Sequence, residues 1–194
     1  INGYNEKNFK RSNYKNILNY LKKKPKKSFG IKGVKITHAW TQNLTLTKTL
    51  CKSCNIDNAV KNYKEMLGSV NGVIIARDDL HYSISKHFLK KKIPVFIDKP
   101  LTSKINELDF FKKYLKNGLL MSTSGLRFAN EVNFLKKSLK KLGRIKSVNA
   151  LVLNDFYKYG VHMLDILDEL NLLKVKKVLR IKSNIDQIIF FCEN

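Results

Sequence analysis

Val95-Phe96-Ile97-Asp98-Lys99-Pro100-Leu101-Thr102 sets a short apolar strand against an acid, a lysine and a proline. Pro100 has no amide hydrogen to give a ladder, and it biases Lys99 toward extended backbone. The strand therefore stops here and presents Lys99 at its carboxyl end, the edge at which open α/β sheets bind ligands. In a chain with 38 Lys and Arg, a solvated lysine at a strand end is the simpler reading. The flanking sequence decides against it.

Upstream, Val70-Asn71-Gly72-Val73-Ile74-Ile75-Ala76 is a short, nearly continuous apolar run bounded by turn formers, the pattern of a buried parallel strand. Arg77-Asp78-Asp79-Leu80-His81 follows, then a helix over 82–91 whose first turn is expected to be acidic. Downstream, Thr102 or Ser103 is expected to cap a helix running through Leu108, Phe111 and Leu115 to a stop at Gly118. Leu119-Leu120-Met121-Ser122-Thr123 is the next strand. Strand, helix, strand, helix, strand with short connectors predicts a parallel sheet with right-handed crossovers, the doubly wound α/β class.

Further out the pattern continues and then changes. Residues 1–30 give one helix, marked by Ile17, Leu18 and Leu21, and a solvated connector made of the run Lys22 to Lys27 around Pro25. A strand is expected over 34–41, a helix over 45–54 and another over 59–67 with Val60, Tyr63 and Leu67 on one face. After Arg127-Phe128, Val132, Leu135, Leu139 and Leu142 mark an amphipathic helix closed by Gly143. An alternating strand is expected over 145–153, a helix over 160–173 and at least two strands over 175–191. The second half thus reads as α+β with a mainly antiparallel sheet. The expected boundaries are a Rossmann-type domain over 1–124 and an α+β domain for substrate and dimerisation over 125–194.

The composition limits the classes of function. Hydrophobic residues at 43% fit a globular protein, and no apolar run approaches the roughly 18 residues that span a bilayer. The start, Ile1-Asn2-Gly3-Tyr4-Asn5, has no cationic stretch followed by an apolar one, and the sequence reads as a soluble cytoplasmic protein. The net charge of +23 would suit an anionic partner. Yet only five of the cations are arginines, Arg11, Arg77, Arg127, Arg144 and Arg180, and base and phosphate readers rely on the planar arginine fork. The lysines spread over nearly every helix-like segment, which argues against a nucleic-acid surface. Cys51-Lys52-Ser53-Cys54 has the spacing of half a zinc site, but no second pair accompanies it, so it is read as structural and no metal is expected.

Three pieces in order carry a resemblance: the strand ending at Ala76 before a polar turn and His81, the strand ending on Asp98-Lys99-Pro100, and Tyr159-Gly160-Val161-His162-Met163-Leu164-Asp165. From about Val34 to Leu170 the chain resembles the glucose-fructose oxidoreductase and inositol dehydrogenase family, Gfo/Idh/MocA. In that family a Rossmann domain binds NAD or NADP and an α+β domain covers a sugar. Asp98-Lys99-Pro100 is similar to the family's Glu-Lys-Pro. The resemblance implies that Lys99 lies beside the nicotinamide and the reacting carbon, that His162 is the acid-base histidine, and that Asp165 supports it. It further implies that Ala76, Arg77, Asp78, His81, Asp98, Lys99 and Pro100 line the cofactor. Lys99, Arg127, Lys158 and His162 would meet the substrate, and a homo-oligomer is implied.

Two departures stand out. Lys158 occupies the position where the family commonly has Asp, and no Gly-x-Gly-x-x-Gly occurs anywhere. The chain opens on what resembles the tail of the first helix and closes on a strand, Ile188-Ile189-Phe190-Phe191-Cys192-Glu193-Asn194, heading into a turn. The first strand, its glycine loop and the end of the C-terminal sheet are therefore expected to lie outside the sequence.

Hydride transfer at a sugar carbinol needs a base for the hydroxyl proton and a cation or donor at the developing alkoxide, roles that His162 and Lys99 would fill. Lys158 is expected either to keep His162 neutral or to meet an anionic group on the substrate, which adds it to the catalytic candidates. His38 and Trp40 precede Thr41-Gln42-Asn43 where an acid would meet the adenosine ribose, so NAD and NADP are not distinguished. The function expected is an NAD(P)-dependent oxidoreductase acting on a sugar or sugar derivative in surface-polysaccharide synthesis. The alternative is a non-catalytic basic module for acidic partners.

Overall fold

The structure is a computed structural model that describes residues 2–12, 14–153, 155–182, 184 and 187–193. It divides into two compact units, one taking the residues up to Val73 with Lys90–Ile93, the other Ile74–Leu89 with the residues from Pro94 onward.

In the first unit α1 (Glu6–Lys10) and α2 (Lys15–Lys22) replace the single helix expected there. Asn5 caps α1 by accepting from the Asn8 amide, and Phe9 and Leu18 are buried. Such a five-residue helix shows no periodicity long enough to read. The strand expected over 34–41 shortens to β1 (His38–Ala39), which pairs in parallel with β2 (Asn58–Ala59). Between them α3 (Leu44–Cys54) starts on the Asn43 side chain and ends on Asn55 in the left-handed region, with Thr47 and Cys51 buried. The helix expected over 59–67 is corrected. Ala59 is in β2, the Val60 amide bonds to the Ala39 carbonyl, and only a 3-10 turn, Tyr63–Met66, follows. Asn62 and Glu65 form a capping box around that turn, so the local hydrogen bonds start the chain winding four residues later than the apolar spacing suggests.

The second unit carries the sheet that matters for function. Its strands run in the order β3 (Val73–Ile75), β4 (Val95–Ile97), β5 (Leu120–Met121). β4 and β5 are parallel, with Val95 opposite Leu120. α4 (His81–Lys90) joins β3 to β4 and α5 (Ile105–Lys116) joins β4 to β5, completing the Rossmann-type repeat. Phe88 and Leu89 from α4, Val95 and Ile97 from β4, and Phe111 from α5 are all buried. Phe110 packs edge-on to Tyr82 with ring centroids 5.0 Å apart, which ties the two helices together.

Two helix starts differ from expectation. The acids before α4 lie outside its first turn, because Leu80, at φ +56°, redirects the chain after Asp79. Lys104 rather than Thr102 or Ser103 is the N-cap of α5. Thr102 Oγ1 accepts from the Lys104 amide at 3.1 Å and donates to Glu107 at 2.6 Å, which stabilises the entry from two residues further out.

Beyond β5, a 3-10 turn (Gly125–Phe128) leads into α6 (Asn130–Ser138). A π-helical turn (Phe156–Gly160) then leads into α7 (Val161–Glu169). β6 (Val175–Ile181) and β7 (Gln187–Cys192) form an antiparallel pair. The fold is thus a Rossmann-type parallel α/β sheet followed by an α+β portion with an antiparallel sheet. The strand expected over 145–153 is absent: these residues have no ladder, and Leu151 and Leu153 are 75% and 90% exposed. Alternation supplies only the pattern of a strand, and among the described residues β6 and β7 pair with each other and leave 145–153 without a partner. Asn194, read as the turn after the last strand, lies outside the described residues, as do Ile1 and Asn13 of the N-terminal stretch. No helix among the described residues is long and apolar enough to cross a membrane.

Candidate active site

At the carboxyl end of β4 the Asp98 amide bonds to the Ile75 carbonyl at 2.9 Å, so the chain is still held to β3 as it leaves the sheet. The Asp98 carboxylate then accepts from the Lys99 amide at 2.9 Å, and a cis peptide joins Lys99 to Pro100. Lys99 is thereby displayed at the strand end, as the sequence predicts. Its ammonium donates to the Lys158 carbonyl at 3.2 Å and lies 5.4 Å from the centre of the Tyr159 ring.

His81, buried at the start of α4, fastens the two neighbouring turns. One ring nitrogen meets the Leu101 carbonyl at 3.0 Å and the other the Arg77 carbonyl at 2.5 Å. The turn that the sequence assigns to a cofactor is therefore held to the loop after Pro100 through one side chain. Within that turn Arg77 binds Asp79 at 2.6 Å through Nε, while Ala76 and Asp78 are exposed.

His162 comes from the first turn of α7, and its placement depends on the turn before it. Asp155 caps that turn by accepting from the Lys158 amide at 2.9 Å. Gly160 is required there by close packing, since a Cβ on it would lie 2.5 Å from the Phe156 ring. The Tyr159 ring sits 6.2 Å from the imidazole of His162, so it contacts both His162 and the Lys99 ammonium. His162 Nδ1 is 2.5 Å from the hydroxyl of Ser124, a fully buried residue in the bend after β5. One turn along α7, Asp165 accepts from the Ser124 amide and, at 3.0 Å, from the Thr123 hydroxyl. Asp165 and His162 are thus linked through Ser124. Nothing in the sequence flagged Ser124, because a serine in a polar bend carries no spacing signal.

Burial pushes the His162 imidazole below its ordinary range, the Lys99 ammonium pushes it further, and Asp98 and Asp165 pull it partly back. The cation responsible is Lys99. Lys158 instead turns its ammonium to Asp78 at 3.3 Å, bridging the π-helical turn to the turn after β3. Arg127 is committed to α7, binding Glu169 at 2.9 Å and Asp168 at 3.2 Å and lying 3.6 Å from Asp165. The Glu169 carboxylate, which also binds Lys136, is the main reason that this guanidinium holds its proton more tightly than usual. Among the described residues no group of His, Cys, Asp and Glu could hold a metal ion.

A nicotinamide fits this end of the sheet. The Arg77–Asp79 turn and Asp98-Lys99-Pro100 are held side by side at the strand ends through His81, and Lys99 and His162 meet around the Tyr159 ring next to them. The diphosphate half has no such match, since the sequence has no Gly-x-Gly-x-x-Gly loop to cradle it.

Comparison with known proteins agrees with this fold. The scyllo-inositol dehydrogenase of Lactobacillus casei, solved with NAD(H) and scyllo-inositol, superposes with a TM-score of 0.65 at 16% identity, covering 80% of this chain and 54% of that one. A dehydrogenase of Chromobacterium violaceum gives 0.61 at 17% identity, covering 77% and 50%. The myo-inositol 2-dehydrogenase of Lactobacillus plantarum gives 0.51 at 24% identity, covering 59% and 36%. At these identities the likeness is one of fold, and the chain spans about half or less of the length of each. No curated protein sequence matches. The family model for the oxidoreductase family with an NAD-binding Rossmann fold matches residues 11–121. With more than half its length matched, the chain belongs to the Gfo/Idh/MocA oxidoreductase family, whose cofactor-binding domain is an NAD-binding Rossmann fold.

Proposed function

We propose that the chain is the working part of an NAD(P)-dependent oxidoreductase that moves a hydride between the nicotinamide and a CH–OH carbon of a sugar or sugar derivative, of the kind used in surface-polysaccharide synthesis. Residues 1–124 would form the cofactor domain and 125–194 the substrate and dimerisation domain of a cytoplasmic homo-oligomer. The observation that carries the reading is the meeting of Lys99 and His162 around the Tyr159 ring, beside strand ends that suit a nicotinamide.

The cofactor, when bound, supplies the hydride acceptor or donor. Ala76, Arg77, Asp78 and the Asp98-Lys99-Pro100 corner hold its nicotinamide end, with His81 fixing the spacing of the two turns. Lys99 brings a positive charge to the substrate oxygen and His162 brings an imidazole to the same oxygen. Together they manage the charge and proton that appear there when the carbon gains or loses hydride. Lys158 is placed to meet an anionic substrate group. Its pair with Asp78 leaves both side chains more than half exposed, and such pairs are worth about 0–1 kcal/mol, so a substrate anion can displace Asp78. Arg127 acts on the substrate pocket through α7, which its guanidinium braces.

Titration of the protein with NADH and with NADPH, followed by nicotinamide fluorescence, tests the reading. Enhancement with either, and turnover with a sugar alcohol or aldose, is expected. No response to either would overturn it. Binding to an acidic polymer that falls steeply with salt would then favour the basic module suggested by the net charge of +23.

A further inference from the structure

The contact between Ser124 and His162 decides more than orientation. A hydroxyl has one proton to give and two lone pairs to receive with. Ser124 Oγ already accepts from the Leu126 amide at 3.1 Å, and among the described residues its one other partner is His162 Nδ1 at 2.5 Å. The side chain is fully buried, so bulk solvent does not reach its proton. If Nδ1 carried a hydrogen, the hydroxyl would accept twice and its own proton would face no acceptor, which costs about 1–3 kcal/mol in a buried site. With the hydroxyl donating to Nδ1, both the hydroxyl and Nδ1 are satisfied, and the imidazole proton sits on Nε2, which makes no hydrogen bond among the described residues and is left for a ligand. The Asp165 carboxylate holds the Ser124 amide and the Thr123 hydroxyl, so the bend that aims Ser124 is fixed by the same helix that carries His162.

We propose that Ser124 is a positioning residue that fixes His162 as a neutral imidazole with its proton on Nε2, so that His162 serves the reaction as a hydrogen-bond donor and Lys99 is the proton carrier. This deepens the function proposed above and rests on it. In the reductive direction the carbonyl carbon accepts hydride from the reduced nicotinamide and the π electron pair moves onto oxygen. That oxygen takes a proton from the Lys99 ammonium while His162 Nε2–H holds it in place. The products are the alcohol, a neutral Lys99 amine and oxidised nicotinamide, and the oxidative direction is the reverse. The charged and titratable groups around the imidazole act in the same sense or are outweighed. Lys99, from the corner after β4, opposes a second ring proton as burial does, whereas Asp98 beside it and Asp165 on α7 favour one. Arg127 offsets Asp165 from 3.6 Å, and the Tyr159 ring brings no charge.

Nitrogen-15 NMR of the histidine side chains in the complete protein tests this, with His162→Gln identifying the resonance. The expected spectrum has a protonated Nε2 and an unprotonated, hydrogen-bonded Nδ1 at neutral pH. Ser124→Ala should mix the two tautomers and raise the midpoint at which His162 titrates, and Ser124→Thr should restore both. A parent His162 protonated on Nδ1, or a Ser124→Ala spectrum identical to the parent, would overturn the proposal. In turnover, Ser124→Ala should lower kcat about 10-fold, with KM for the sugar unchanged. His162→Gln, a neutral donor, should retain more activity than His162→Ala, and equal loss in both would count against a donor role. NADH binding separates the two claims: if the parent fails to bind NADH or NADPH, the oxidoreductase reading falls while the tautomer result stands.

Discussion

The central strand β4 and the pair β6–β7 treat apolar residues in opposite ways. In β4, Val95 and Ile97 are buried beneath two helices, whereas along β6 Val175, Val178, Leu179 and Ile181 are all exposed. Both are hydrogen-bonded ladders, so the difference lies in covering layers rather than in backbone pairing. Lys99 follows directly on the buried strand β4, whose end is held to β3 by the Asp98 amide. The open hairpin holds none of the candidate site residues.

Stability measurements would break this comparison if the two regions responded alike. Phe88→Ala or Phe111→Ala empties a fully buried position and should cost about 3–5 kcal/mol in denaturant unfolding. Phe191→Ala on the hairpin should change stability by only about 0.5 kcal/mol. Next in size, Lys99→Met should leave the fold intact and lower turnover by about 100- to 1000-fold, because it removes the charge at the reacting oxygen. The same substitution has a signed consequence for pH. With Lys99 gone, one of the two causes holding His162 down is lost while burial remains, so its titration should move up toward the ordinary imidazole range without reaching it. In the parent, His162 stays neutral to lower pH than a free imidazole, so the neutral form and the activity that needs it should persist on the acid side. That activity is then lost as pH falls through the depressed value.

A smaller effect is expected at the turn before α7. Gly160→Ala must displace the Phe156 ring and should cost about 1–3 kcal/mol, with a loss of turnover because Lys158 and Tyr159 lie in that turn. The smallest is Lys136→Met. It removes one exposed partner of Glu169, and it should shift stability by no more than about 1 kcal/mol since Arg127 still binds that carboxylate.

The covered sheet was the legible part. Short continuous apolar runs read as parallel strands, so Val73–Ile75, Val95–Ile97 and their helices can be placed from residue types alone, although Ile74 is exposed where the run predicts burial. The same logic failed over 145–153, where alternation is clear but a strand needs a partner that no local pattern can supply. It failed differently over 59–67, where the Asn62 capping box overrode an apolar spacing that happened to be helical. At the site, Lys99 and His162 were legible because proline after lysine, and histidine opening an apolar helix, are local signals. Ser124 was not, since its importance comes from a contact across 38 residues with His162. Arg127 was visible as a residue, but its partners on α7 could only be found in three dimensions.

The central claim is that Lys99 and His162 work on one oxygen beside a nicotinamide. The most direct measurement is the nicotinamide absorbance change when the protein is mixed with NADH or NADPH and a panel of oxidised sugars, with Lys99→Met and His162→Ala in parallel. The account predicts cofactor oxidation by the parent with at least one sugar, and its loss in both variants with cofactor binding retained. Oxidation that persists undiminished in either variant would contradict it.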